Sequence, residues 1–304
     1  MPLAVTLAQL ATAAGYGRDD PLVIAIGRDG RRPVHLARGC FPAGAAGVVA
    51  CSTDPGRGGP TTTTQIYAAS LAKQVTAACA AIVGLDVEAP LSRWMPELPP
   101  WSRRVRLRHL IHHTSGLAQD APEPIAAPGL RFAYSNAGYV LLAEAIGRAA
   151  GEPLPDLARR LIFAPLDMAD SLFWTGPEPA PPGAAPLDPA DPAPLSIGDG
   201  GLWSTAADLL RWADALDHDR LGVTGRVQTP GALDDGTPLD YAWGMGVRER
   251  DGHREFRHGG GYADLRAMLV RVPEKGVDLV ILALGDRSER RITLTDRLLG
   301  VLLA

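Results

Sequence analysis

Residues 66–73 read Ile-Tyr-Ala-Ala-Ser-Leu-Ala-Lys and open a run of small and apolar residues that predicts a helix to about Gly84. Ser70 and Lys73 are three positions apart, so a helix places both side chains on one face and lets the amine reach the hydroxyl. The helix N-terminus adds free backbone N–H groups and positive potential at the same place. An alcohol with a nearby base and positive potential is the pattern of an activated nucleophile.

Lysine is scarce in this chain. Of the 30 basic residues, only Lys73 and Lys275 are lysines, and the rest are arginines. Arginine stays protonated near neutral pH, whereas a partly buried lysine can lose its proton. A Ser-x-x-Lys pair also arises by chance, so the pair alone suggests a nucleophile without establishing one.

Composition limits the classes of protein to consider. The 304 residues carry a net charge of −4 with scattered basic residues, which argues against a nucleic-acid partner. No apolar run approaches the ~18 residues that cross a bilayer, and the N-terminus lacks the basic start of an export signal. Cys40, Cys51 and Cys79 are an odd number without a Cys-x-x-Cys pair, which favours small buried residues in a reducing compartment. These features predict a soluble, cytoplasmic protein with no membrane partner.

The order of predicted elements places strands at both ends of the chain. An N-terminal helix precedes two strand-like runs, 22–26 and 34–37, around an Asp29-Gly30 turn. Further helices are predicted at Arg106–His113, Asn136–Ala150, Leu154–Phe163, Thr205–Leu216 and Glu289–Leu303. An antiparallel meander is predicted from strands at Ala242–Arg250, His253–His258, Leu265–Val272 and Val277–Leu284. The Pro-rich stretch 175–195 is predicted to be an extended surface loop.

Two further segments carry groups that complement a nucleophile. Tyr134 and Asn136 lie in a loop that leads into a helix, and supply a phenol and an amide that both donates and accepts. Residues 258–261, His-Gly-Gly-Gly, end a predicted strand, where glycines admit a substrate and leave N–H groups free for an oxyanion. Each segment also has a structural explanation, because Tyr134 could pack on the core and the glycines could form a bulge.

The order of these motifs resembles the serine β-lactamase and penicillin-binding-protein superfamily, nearest to class C β-lactamases, D,D-peptidases and the related esterases and transacylases. Matching segments span nearly the whole chain: 113–117 (His-Thr-Ser-Gly-Leu), 165–168 (Pro-Leu-Asp-Met, usually Pro-Leu-Gly-Met) and 200–209. The resemblance implies an α/β fold of the α+β type, with an antiparallel five-stranded sheet flanked by helices and an inserted all-helical subdomain. We expect residues 1–68 and 200–304 to form the sheet domain and 69–199 the helical subdomain, with the active site between them.

The resemblance also implies roles for the motif residues. Ser70 would be the nucleophile that becomes acylated, and Lys73 would share or take its proton. Tyr134 would act with Lys73 as general base and then as acid, its pKa lowered by the lysine charge. The backbone N–H groups of Ser70 and Gly261 would form the oxyanion hole. Asn136 would hold the acyl-side amide of the substrate or orient Lys73.

The third motif departs from the class C pattern. His258 stands where those enzymes have a lysine, and a mostly neutral histidine is a weaker clamp for a substrate carboxylate. This lowers the expectation of efficient β-lactam hydrolysis, although His258 remains a candidate catalytic residue. Gly259, Gly260 and Tyr262 are expected to contact the substrate, and Tyr262 with Asp264 could narrow or charge the mouth of the pocket.

A metal site is a weaker alternative. His109, His112 and His113 form His-x-x-His-His, but without His-Glu-x-x-His or an interleaved carboxylate. The sequence contains no Gly-x-Ser-x-Gly elbow, so an α/β-hydrolase is not expected. We therefore expect neither a metal nor another cofactor.

The sequence thus predicts a serine hydrolase or acyltransferase that acts on a small ester or amide through a Ser70 acyl-enzyme. Among the possible activities, an esterase-like one is the main expectation. The alternatives are a D-amino-acid peptidase or D,D-carboxypeptidase, a β-lactamase, a biosynthetic transacylase, and a catalytically silent binding protein of the same fold. Substrate identity, oligomeric state and the choice between hydrolysis and acyl transfer stay open, because the loops at 118–130 and 175–197 shape the pocket.

Overall fold

The computed structural model describes residues 3–28, 31–41, 51–52, 59–188, 190–286 and 288–304, which form ten strands and eight α-helices. The strands are β1 (Leu22–Arg28), β2 (Val34–Cys40), β3 (Cys51–Ser52), β4 (Ile66–Tyr67), β5 (Leu172–Phe173), β6 (Leu202–Ser204), β7 (Gly246–Arg250), β8 (His253–Tyr262), β9 (Leu265–Val272) and β10 (Val277–Ala283). The helices are α1 (Leu3–Ala13), α2 (Ala72–Val83), α3 (Leu107–Ile111), α4 (Asn136–Ala150), α5 (Leu154–Ala158), α6 (Ala206–Asp217), α7 (Thr224–Val227) and α8 (Arg290–Leu302).

One antiparallel sheet joins the two ends of the chain. Its strand order is β3-β2-β1-β10-β9-β8-β7, and the first strand pairs with the last through registers such as Ile24↔Ile281. Seven strands take part where the resemblance implied five; six of them correspond to strands that the sequence pattern predicted, and β3 adds a two-residue strand at one edge. A small second sheet, β4-β6-β5, lies beside the start of α2. The α+β architecture expected from the sequence is confirmed.

The large sheet buries both of its faces. Leu22, Ile24 and Ile26 of β1 belong to a core that includes Leu7 of α1 and Leu298 of α8. The alternate β1 residues, Val23 and Ala25, belong instead to the larger core formed with α2 and α6. Successive strand residues point to opposite faces, so a strand covered on both sides must be apolar throughout. This is why the β1 sequence shows no alternation.

Helix α2 is the central helix of the molecule. Every residue from Ala72 to Ala81 is buried, which fits a helix that is apolar nearly all round. Gly84 ends it in the left-handed conformation, with φ 73. The predicted helix to about Gly84 is confirmed, and its one charged residue, Lys73, is buried inside the protein.

Some element boundaries differ from those predicted. The helix expected at 154–163 is α-helical only to Ala158 and continues as a π-helical turn over Arg159–Phe163. Strand β8 runs four residues beyond the predicted end at His258, because its glycines stay paired with β9, as in Gly259↔Met268. The predicted Asp29-Gly30 turn lies outside the described residues.

The cysteines differ from the expectation of three reduced thiols. Cys79 is free and buried, but Cys40 is disulfide-bonded. Its backbone lies opposite Cys51 in the β2–β3 pair. Disulfides persist mainly in oxidising compartments, and the cytoplasmic location predicted from the sequence stays a prediction. In the described part of the chain, no helix has the length and apolar character to traverse a bilayer.

Candidate active site

Ser70 lies in a 3₁₀ turn, Ala69–Leu71, that leads directly into α2. The sequence placed it in the α-helix itself. Ala69 has a positive φ of 47°, a conformation that is costly for a residue with a side chain. The turn packs against β8 so closely that a Cβ on Gly260 would lie 2.5 Å from the Ala68 carbonyl oxygen. Close backbone contact therefore brings the Ser70 hydroxyl beside residues 259–261 of β8, the segment called the glycine strand below.

The Lys73 amine has three polar neighbours. Its Nζ lies 3.2 Å from Ser70 Oγ, 2.8 Å from Asn136 Oδ1 and 2.8 Å from the Asp199 carbonyl oxygen. Burial lowers the pKa of Lys73 to about 7, against the opposing effect of the Asp199 and Asp120 carboxylates. Near neutral pH the amine is therefore close to half neutral, which lysine in water is not.

These contacts direct the lone pair of the neutral amine. A neutral amine has two N–H donors and one lone pair, and both Asn136 Oδ1 and the Asp199 carbonyl can only accept hydrogen bonds. They take the two N–H groups, which leaves the lone pair for the Ser70 hydroxyl proton. Asn136 is itself held by its Nδ2, which donates to Asp120 Oδ1 at 2.7 Å. Of the two roles predicted for Asn136, orienting Lys73 has direct geometric support.

Tyr134 is also next to the nucleophile. Its ring centre lies 4.9 Å from Lys73 Nζ, and its hydroxyl shares a hydrogen bond with the Ser70 side chain. Burial raises the pKa of Tyr134 to about 12, and the carboxylates of Asp199 and Asp120 add to the rise. The expectation of a lowered pKa for Tyr134 is wrong, because burial and the two carboxylates raise it and the opposing effect of the hydrogen bond with Ser70 is smaller. At neutral pH Tyr134 is a phenol that can give a proton, whereas Lys73 has the accessible base form.

His258 has both ring nitrogens engaged within the protein. Nδ1 lies 2.8 Å from the Gly259 carbonyl oxygen and Nε2 lies 3.2 Å from Tyr241 Oη. A carbonyl only accepts, so the proton is on Nδ1, and Nε2 accepts from the tyrosine hydroxyl. Burial lowers the pKa of His258 to about 3, and the Lys73 charge lowers it further. A neutral histidine without a free nitrogen is poorly suited to clamp a substrate carboxylate.

His113 and Tyr241 lie behind His258, and neither was predicted to take part in catalysis. Tyr241 Oη also lies 3.2 Å from His113 Nε2, and the Ser135 N–H donates to His113 Nδ1 at 3.1 Å. Because Nδ1 accepts, Nε2 carries the proton and donates to Tyr241. Hydrogen bonds therefore run in one direction, from the Ser135 amide through His113 and Tyr241 to His258. The sequence drew attention to His113 only in the His-Thr-Ser-Gly-Leu segment and in the metal alternative, and no local pattern marks Tyr241.

The glycine strand forms the other wall of the site. Strand β7 pairs with β8 only as far as Gly246↔Arg257, so the segment from His258 onward has the Ser70 turn beside it. Gly261 lies on this segment. The oxyanion hole formed by the N–H groups of Gly261 and Ser70 stays a prediction. Tyr262 is tied to the Pro-rich loop, since its hydroxyl donates to the Pro192 carbonyl at 2.8 Å.

The three histidines of the metal alternative do not converge. His109 Nε2 lies 3.1 Å from Asp234 Oδ1 and its Nδ1 accepts from the Arg106 N–H, whereas His113 is bonded to Tyr241. Over the described ranges, no group of three or more His, Cys, Asp or Glu residues is arranged to hold a metal ion.

Comparison with known proteins identifies the family of this chain. The model of the family described as Beta-lactamase matches residues 22–302. The chain belongs to the beta-lactamase family. Among relatives, a D-aminopeptidase from Brucella canis is 27% identical to this beta-lactamase-family chain over 189 residues, which are 58% of the chain and 36% of the relative. The match thus spans little more than a third of that enzyme.

Solved structures share the family fold over the whole chain. A beta-lactamase/D-alanine carboxypeptidase from Yersinia pestis has a TM-score of 0.78 at 19% identity and covers 99% of both chains. A D-amino acid amidase from Ochrobactrum anthropi SV3 has a TM-score of 0.76 at 20% identity, covering 97% of this chain and 99% of its own. At these identities the likeness establishes the fold.

Proposed function

We propose that this protein hydrolyses amides of D-amino acids that carry a free α-amino group, through an acyl-enzyme on Ser70. The observation that carries the proposal is the contact between Lys73 Nζ and Ser70 Oγ at 3.2 Å, with the pKa of the lysine lowered to about 7. A base poised near the working pH is what general-base catalysis requires.

Acylation begins with proton transfer to the neutral Lys73. As Ser70 Oγ bonds to the substrate carbonyl carbon, the hydroxyl proton passes to Nζ and the carbonyl oxygen becomes an oxyanion, held by the N–H groups of Ser70 and Gly261. Collapse breaks the C–N bond, the Tyr134 phenol protonates the leaving nitrogen, and the Lys73 ammonium returns a proton to Tyr134. Water then repeats these steps on the acyl-enzyme, which releases the acid and restores Ser70.

The charges around the nucleophile favour a cationic substrate over an anionic one. Asp120 and Asp199 are the carboxylates that act on both Lys73 and Tyr134, and Asp120 is exposed beside Asn136. His258, where a class C enzyme would have a cation, is neutral. A substrate ammonium would therefore be attracted, whereas a carboxylate would find no clamp at this position.

The relatives support the same choice among the alternatives. A D-aminopeptidase and a D-amino acid amidase are among the similar proteins, and both names describe amide substrates of D-amino acids. The esterase-like activity expected first from the sequence has less support. The D,D-carboxypeptidase alternative is less favoured because its substrates end in a carboxylate.

Covalent labelling tests the nucleophile. Intact-mass spectrometry after a fluorophosphonate probe should show one adduct, mapped to Ser70 and absent in Ser70→Ala. A chain that stays unlabelled and turns over no substrate would be the silent binding protein, and the proposal would be wrong.

The charge of Asp120 tests the substrate class. Asn at position 120 keeps an acceptor for Asn136 but removes the negative charge, so Asp120→Asn should raise KM for D-alanine p-nitroanilide about tenfold, roughly 1.4 kcal/mol. KM for the N-acetylated substrate should stay unchanged, as should both values in Asp235→Asn, an exposed carboxylate in another loop. Faster turnover of the L-enantiomer, or of the N-acetylated substrate, would contradict the proposed substrate class.

A further inference from the structure

Arg291 of helix α8 lies directly behind the glycine strand. Its Nη1 donates to the Gly260 carbonyl oxygen and, at 3.2 Å, to the carbonyl of Ala267 on β9. Only 12% of the side chain is exposed, and Nη2 lies 3.1 Å from Glu289 Oε2. The cation is therefore held at the sheet, on two carbonyls that face each other in the β8–β9 register.

The glycines make room for this guanidinium. A Cβ on Gly259 would lie 3.0 Å from Arg291 Nη2, and one on Gly261 would lie 3.7 Å from Nη1. A Cβ on Gly260 would point the other way, at the Ala68 carbonyl. The alternation of a strand thus gives the three glycines two purposes: Gly260 admits the Ser70 turn, and its two neighbours border the space that Arg291 occupies.

The Gly260 carbonyl and the Gly261 N–H belong to the same peptide group. Resonance couples the two ends of a peptide, so a cation that hydrogen-bonds the oxygen withdraws electrons from the nitrogen. The N–H then becomes a stronger donor, as in other chains of hydrogen bonds that polarise one another. A hydrogen bond from a charged donor is about twice as strong as a neutral one, so the polarisation is correspondingly larger.

We propose that Arg291 is a positioning residue that strengthens the oxyanion hole by polarising the Gly260–Gly261 peptide. The inference rests on the proposed function, in which the Gly261 N–H donates to the oxyanion. Negative charge on that oxygen is far greater in the transition state than in the bound substrate. The effect of Arg291 therefore belongs in kcat rather than in KM.

Replacing Arg291 separates this role from a structural one. Arg291→Gln should lower kcat about tenfold, a fraction of the effect of removing an oxyanion-hole donor outright, with KM unchanged. In the acyl-enzyme, the ester carbonyl stretch should move to higher wavenumber, because a weaker hydrogen bond polarises the C=O less. Arg297→Gln, on the exposed side of the same helix, is the matched control and should change neither quantity.

A second variant moves the guanidinium without removing it. In Gly259→Ala the new methyl group would lie 3.0 Å from Arg291 Nη2, so the flexible guanidinium must move by a few tenths of an ångström while β8 keeps its pairing. We expect kcat to fall and the carbonyl stretch to move in the same directions as in Arg291→Gln, each by a smaller amount. This variant tests the inference even where Arg291→Gln does not fold.

The outcomes are distinguishable from failure of the proposed function. Normal Ser70 labelling, with kcat and carbonyl stretch unchanged in both variants, would overturn the role of Arg291 and leave the Ser70 chemistry standing. An equal loss of kcat in which the carbonyl stretch does not move would indicate a structural role and would also overturn it. No labelling of Ser70 in the unmodified protein would overturn both proposals.

Discussion

At the scale of single residues, the chemistry depends on how far burial changes two side chains. Ser70 and Lys73 are neighbours by local spacing, but the amine becomes a base only because it is buried, which lowers its pKa to about 7. The same burial raises the pKa of Tyr134 to about 12. One environment therefore produces a neutral amine and a neutral phenol, which are a matched base and acid.

The lowered pKa of Lys73 predicts the pH dependence of activity. The base form appears as the pH rises, so kcat/KM should increase through a midpoint of about 7. Lys73→Arg should lower kcat/KM at least 100-fold at every pH, because arginine stays protonated. Lys275→Arg changes the only other lysine of the chain and is the control. An acid limb that survives in Lys73→Arg would show that another group is the base.

The same shift affects stability. A lysine whose pKa is lower in the folded than in the unfolded protein leaves the folded state with fewer bound protons between about pH 7 and the unfolded value. The contribution of Lys73 to the free energy of unfolding therefore rises with pH across that window. Below it, both states carry the proton and the full cost of burying the charge remains.

At the scale of elements, the site depends on close approach between backbones. The Ser70 turn lies against β8 because Gly260 has no side chain, and Gly244 makes a similar approach to α2, where a Cβ would lie 2.5 Å from the Lys73 carbonyl. The sequence offered two explanations for the three glycines, a bulge or a strand that faces the substrate. The structure adds a third, which is close contact with the turn that carries Ser70.

Gly260→Ala should separate the turn from the strand. The added methyl group would lie 2.5 Å from a backbone oxygen that cannot rotate away, so we expect a loss of about 1–3 kcal/mol in unfolding free energy and strongly reduced Ser70 labelling. Urea denaturation and probe labelling measure the two effects. Gly225→Ala, where nothing lies within 4 Å of the new Cβ, should leave labelling unchanged and should not lower the unfolding free energy, because alanine suits helix α7 better than glycine does. Full labelling of Gly260→Ala would contradict the close packing.

The hydrogen bonds through Tyr241 join the end of α3 to β8. Tyr241→Phe removes one hydroxyl and leaves the Nε2 atoms of His113 and His258 without this partner inside the protein. Burying such groups unpaired costs about 1–3 kcal/mol each, so we expect a comparable loss of unfolding free energy. Nitrogen NMR of His258 should show the Nδ1–H tautomer in the unmodified protein. A different tautomer, or an unchanged stability in the variant, would contradict the direction of these hydrogen bonds.

At the scale of the whole molecule, the site draws on distant parts of the chain. Lys73 lies on α2, Asn136 begins α4, Asp199 precedes β6, and His258 lies on β8. The division into a sheet domain of 1–68 with 200–304 and a helical subdomain of 69–199 stays a prediction. The match to only 36% of a D-aminopeptidase means that the activity of that whole enzyme is proposed, not transferred.

Most of the fold was predictable because it follows from periodicity and turn residues, which are local. The helices at Asn136–Ala150 and Arg290–Leu302 and the last two strands agree with the sequence pattern to within a residue or two. The length of β8 was not predictable, since glycines carry no strand propensity and stay extended here only by pairing with β9.

The sequence by itself determined the meander, the central helix and the Ser70–Lys73 spacing, because each depends on residues close together in the chain. It also determined the family, because each motif is local and the motifs follow one another in a fixed order. Only the tertiary structure decided the protonation states of Lys73 and Tyr134. Desolvation, which sets both pKa values, depends on what packs around a side chain. It also decided the contacts of Tyr241 and Arg291, which lie far in sequence from the residues they act on. The Ser-x-x-Lys sequence therefore identifies the atoms that can react, and the packing around them sets the protonation states of Lys73 and Tyr134.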